Sequence, residues 1–92
     1  MENYFTIEVG MKVLESWFPF CIFKIGIDRS LAMSIFEMLE TVKDGLLRFT
    51  LVESNGDRKT LATKPCTLHL LESNSRIITK EIFKTLNFEG GG

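Results

Sequence analysis

The chain is poor in the residues that most small catalytic and metal-binding domains depend on. It has one histidine and two cysteines, Cys21 and Cys66, in 92 residues. Two cysteines do not make a disulfide framework. A structural zinc needs about four soft or imidazole ligands. Cys21, Cys66 and His69 are only three and are widely spaced, so no metal site and no cofactor are expected. Glycine-rich phosphate loops are absent: Gly10, Gly26, Gly45 and Gly56 stand singly. No long apolar run occurs either. The longest, Trp17 to Ile27, is interrupted by Lys24 and is too short to cross a bilayer. The beginning, Met1-Glu2-Asn3, lacks the basic region of a signal peptide. A cytoplasmic location with reduced thiols and no membrane partner is the resulting expectation.

Charge of one sign is also missing. The formal net charge is −1, which gives no global attraction for a polyanion, so a nucleic-acid partner is not expected. The distribution is uneven, with residues 1–57 acidic and 58–92 basic, and two solvated faces account for it. What the chain does have is apolar mass: 45% hydrophobic and 11% aromatic residues beside 25% charged ones. That is the profile of a single globular domain, assigned to residues 1–89, with 90–92 as a flexible glycine tail.

Phe5, Ile7, Val9, Met11 and Val13 alternate with polar residues or glycine, the two-residue period of a half-buried strand. Pro19 predicts a turn near Ser16–Pro19. Phe20 to Ile27 is apolar on both faces and reads as a central strand paired with the first. Asp28 or Ser30 caps a helix over 29–43, whose Leu31, Ile35, Met38, Leu39 and Val42 recur at spacings of three and four, with Gly45 as a left-handed stop. Leu47, Phe49 and Leu51 alternate as a third strand, and Ser54-Asn55-Gly56-Asp57 is a hairpin turn. A fourth strand begins at Arg58, meets Pro65 at a bulge or sheet edge, and resumes through Cys66–Leu71. Leu51–Asn55 and Leu70–Asn74 share a strand-to-turn signature, and a second helix is expected over 75–86, with a short strand over Arg76–Thr79 as the alternative that its β-branched run offers. The fold class is therefore α+β: a mostly antiparallel sheet of four to five strands with two helices packed on one face. The helix over 29–43 should cover Phe5, Ile7, Val9, Phe23, Ile25, Phe49 and Leu51.

Catalytic constellations are few. Cys66 and His69 form C-x-x-H, but on a strand two residues three apart face opposite ways. Glu37 and Glu40 share a helix face that reads as solvated. No enzyme activity is expected. Trp17, Phe18 and Phe20 cluster around Pro19, and aromatics of this kind anchor protein interfaces. They mark the expected partner-binding residues of a non-catalytic interaction or regulatory module, a symmetric homodimer being its simplest form.

The chain ends in Gly90-Gly91-Gly92. Together with the strand–strand–helix–strand order of the first 53 residues, this resembles the ubiquitin-like modifiers and sulfur-carrier proteins. The resemblance implies a β-grasp fold, a strand over Glu81–Glu89 leading into the glycines, and conjugation through Gly91 and Gly92. A modifier or carrier is the alternative function.

Overall fold

A computed structural model describes residues 3–89, with side chains as far as Lys84. Four strands and two helices follow in the order β1 (Tyr4–Val13), β2 (Ser16–Gly26), α1 (Arg29–Met38), β3 (Leu47–Asn55), β4 (Asp57–Cys66) and α2 (Leu68–Glu89). The strands form one antiparallel sheet in the order β2-β1-β3-β4. Both helices contribute to the same core, so the domain is a two-layer α+β structure with one sheet face covered.

The alternation in β1 does what its period dictates. Phe5, Ile7 and Val9 are buried, together with Leu47, Phe49 and Leu51 of β3 and Ala32, Ile35 and Phe36 of α1. Side chains of this size stabilise the fold by about 1.5–3 kcal/mol each on burial. Asp28 caps α1, its Oδ1 accepting from the Leu31 N–H at 3.0 Å.

Several expectations are corrected. The first turn lies at Leu14–Glu15, ahead of Pro19, with Val13 paired to Ser16. Leu14 supplies the reversal with φ 59. Pro19 sits inside β2, which tolerates it because β2 is an edge strand and not a central one; the centre is held by β1 and β3. The register shift between Val9 and Gly10 absorbs Phe20 as a bulge beside the proline.

The first helix ends at Met38, not 43. Its last carbonyls find a partner outside the helix: the Lys64 ammonium of β4 donates to the oxygens of Phe36, Glu37 and Leu39 at 2.8, 3.2 and 3.0 Å. A cation there also opposes the negative end of the helix. Met38 is consequently 45% exposed, while Leu39 turns into the core. Gly45 is no left-handed cap. It is required by close approach, since a Cβ there would stand 2.0 Å from the Cys66 carbonyl oxygen.

Nor does the fourth strand resume after Pro65. It ends at Cys66, and Thr67 switches the chain into α2, its Oγ1 accepting from the Leu70 N–H at 3.3 Å. The helix therefore starts at Leu68, seven residues before the expected 75, and Leu70–Asn74 is helical rather than a turn. Asn74 lies buried in the stripe formed with Leu71, Ile78 and Ile82, which the polar residue disguises in the sequence. The strand that the modifier resemblance implies over Glu81–Glu89 is the last part of α2. Gly91, Gly92 and the 90–92 tail lie outside the described residues.

Candidate interaction surface

Trp17, Phe18 and Phe20 all fall on β2, but the strand sends them to different places. Trp17 pairs with Lys12 and lies on the uncovered face, its ring beside Gly10. The Arg48 guanidinium stacks over that ring at 4.1 Å from its centroid. Phe18 pairs with Met11 toward the helix-bearing side and is 51% exposed. Phe20, at the bulge, is equally exposed. The aromatic trio is thus a strand, not a cluster.

Further apolar groups gather at the same end of the sheet. Phe18, Met11, Leu47 and Cys66 form one cross-strand row. Beside it, a largely apolar groove of about 460 Å³ is lined by Met11, Lys12, Gly45, Leu46, Leu47, Thr67 and Leu68. Leu46 and Leu68 are largely exposed, and Leu14 at the hairpin tip is 91% exposed. A leucine with positive φ is strained by about 1 kcal/mol or more, and such outliers gather at functional positions. Sequence reading missed the exposure of Leu14, Ile22, Leu46 and Leu68 because Leu14 falls in the break after the first strand, Ile22 on a strand taken to be central, Leu68 on an expected continuation of the fourth strand, and Leu46 just ahead of the third. The two Leu-Leu pairs, Leu46-Leu47 and Leu70-Leu71, are the only local signal near the groove.

The opposite edge is built differently. β4 carries Arg58, Lys59, Lys64 and Pro65, the charges and proline that discourage a further strand from pairing. β2 carries Lys24 and Pro19 but otherwise presents Phe18, Phe20 and Ile22, each more than half exposed.

Cys66 and His69 are not brought together as a dyad. Cys66 is fully buried in the core, whereas His69 is exposed on the first turn of α2. Burial pushes the Cys66 thiol above its ordinary pKa, and burial does the same to Cys21. A thiol held protonated is a poor nucleophile. With Cys21 replaced by serine, Cys66 should react with a disulfide reagent more slowly than a model thiol at every pH from 7 to 9, at a rate set by opening of the fold. Glu37 is exposed; Glu40 accepts from the Ser73 hydroxyl at 3.1 Å, a tie between the segment after α1 and α2.

Among the described residues no group of three or more His, Cys, Asp or Glu comes together to hold a metal ion. No helix among them is long and apolar enough to cross a membrane. No family model, curated protein or solved structure matches this chain.

Proposed function

We propose that this chain is a non-catalytic interaction module that self-associates through β2. The observation that carries the reading is a mismatch of composition and position: β2 has the two-sided apolar content of a central strand, yet lies at an edge. An edge strand offers a row of backbone donors and acceptors, and a second β2 running antiparallel about a two-fold axis satisfies them on both copies. The same operation sets Phe18, Phe20 and Ile22 of one copy against those of the other. The exposed leucine of the hairpin tip and the adjacent groove extend the apolar contact beyond the strand.

Light scattering after size exclusion tests the reading. The expected mass is twice the 10.5 kDa of the chain. The double variant Phe18→Ser/Phe20→Ser should elute as a folded monomer with unchanged far-UV circular dichroism. Leu14→Gly separates contact from stability, because glycine accepts positive φ without strain. It should weaken association while leaving the melting temperature equal or higher. A wild-type monomer at 100 μM, or a double variant that remains dimeric, refutes the proposal.

A further inference from the structure

The helices cover one face of the sheet and leave the other bare, and that bare face has a charge the whole chain conceals. Lys12, Lys24, Arg48 and Arg58 lie on it with Glu8 as their carboxylate counterpart among the strand residues facing that way. Glu8 accepts from Arg58, which leaves Lys12, Lys24 and Arg48 without a carboxylate partner among the described residues. Glu37, Glu40, Glu72 and Glu81 belong to the helical side. A net charge near zero is therefore an average over two unlike faces.

The stacked pair of Trp17 and Arg48 divides this face. On one side lies a depression of about 330 Å³, with Phe18, Thr50, Arg58 and Thr60 in its wall together with Glu8, the carboxylate that Arg58 neutralises. On the other lies one of about 500 Å³, lined by Lys12, Thr63 and Asp44. Trp17 and Arg48 line both. Lys12 to the Lys24 partner Thr6 spans six strand residues, about 20 Å.

We propose that this face binds single-stranded nucleic acid. The pairing of chemistry is direct. Bases stack on aromatic rings and guanidinium planes, and a ridge made of both has a hollow on each side for neighbouring bases. Cations spread over several strands meet successive phosphates. An acidic peptide would use the charges but has no planar groups for the ridge, and duplex DNA would bring its bases already stacked. The surface belongs to each chain alone and does not depend on pairing through β2.

Trp17 is the sole tryptophan, so its emission reports directly on the ridge. Fluorescein-labelled dT8 and U8 titrated with the protein in 20 mM salt should show rising anisotropy and quenched Trp17 emission. With three phosphates neutralised, log K should fall against log salt with a slope of about −2, from roughly 0.7 per phosphate. Arg48→Gln and Lys24→Gln should each weaken binding and flatten that slope by about 0.7. Trp17→Leu should raise Kd at least about 5-fold. The two charge variants keep the test valid if the tryptophan variant disturbs the hairpin. The single variant Phe20→Ser, which changes the dimer contact but lines neither depression, should bind dT8 with the same slope, which separates this surface from the dimer contact. The proposal is overturned by no anisotropy change at 100 μM protein, by poly-L-glutamate binding as tightly with Trp17 emission unchanged, or by a duplex binding more tightly than the single strands.

Discussion

Replacing Gly45 by alanine is expected to destabilise the fold by more than about 3 kcal/mol, at the upper end of what a single overpacking change costs. The added Cβ would stand 2.0 Å from the Cys66 carbonyl oxygen, 2.6 Å from its carbon and 3.2 Å from its nitrogen. Every one of those atoms is backbone, so no side chain can swing aside. The backbone itself is fixed from three directions. Cys66 pairs with Leu47, its own side chain is fully buried, and the chain turns into α2 immediately afterwards. For a domain of this size the loss corresponds to a fall in melting temperature of more than about 12 °C. Gly56→Ala is the control. Gly56 has φ +85 but nothing within 4 Å of the added atom, so its cost is limited to backbone strain of about 1–2 kcal/mol. Urea denaturation of the two variants should place their midpoints well apart. Equal midpoints would mean that the segment after α1 does not lie against Cys66.

Those two glycines show where sequence reading stops. Both stand in polar turn-like contexts, and the pattern Ser54-Asn55-Gly56-Asp57 correctly marks the β3–β4 hairpin because positive φ leaves a local compositional trace. Gly45 is constrained by a residue 21 positions away, and nothing beside it in the chain records that. The same division runs through the fold. The alternation of Phe5, Ile7 and Val9 and the Asp28 cap are local, and each is where its period or chemistry indicates; of the helical stripe Ile35 is buried on α1, while Met38 is exposed and Val42 lies beyond the helix. The end of α1 is not local, because Lys64 and Asn74 take over groups that a longer helix would satisfy internally. The start of α2 was hidden for a related reason. An asparagine in an apolar stripe reads as a break until its buried partner is known.

The candidate interaction surface was legible in composition and not in arrangement. Trp17, Phe18 and Phe20 announce an aromatic strand, but whether such a strand is central or peripheral depends on which neighbour β1 takes on its other side. β1 takes β3, which leaves β2 at the rim. That one pairing converts residues that look like core into surface. It also puts Trp17 on the bare face with Arg48, a contact between residues 31 positions apart.

Asn74 should be the least replaceable polar residue of the domain. Its side-chain amide behaves as a strand would toward Glu40: Nδ2 donates to the Glu40 carbonyl at 2.9 Å, and Oδ1 accepts from the Glu40 N–H at 2.8 Å. The side chain is fully buried. Asn74→Ala leaves that donor and that acceptor without partners and opens a void, at an expected cost of about 2–4 kcal/mol by chemical denaturation. Asn74→Asp is the sharper experiment. A buried carboxylate can still accept from the Glu40 N–H but turns a second oxygen toward the Glu40 carbonyl, and desolvation adds to that repulsion. Both effects raise the folded-state pKa of the new carboxyl above its unfolded value of ~3.9. Protonated, the carboxyl donates to the carbonyl and restores the pair. The stability it supplies is therefore full below about pH 4 and is lost as the pH rises through the folded value. Relative to Asn74→Ala, which carries no titrating group, Asn74→Asp should be the more stable variant in acid and lose that advantage at neutral pH. A stability difference between them that does not change with pH would show that Asn74 is not clamped on Glu40. The clamp also bears on the proposed self-association, because residues 40–46 carry Gly45 and Leu46 to the wall of the apolar groove. Loosening it should weaken self-association as well as the fold.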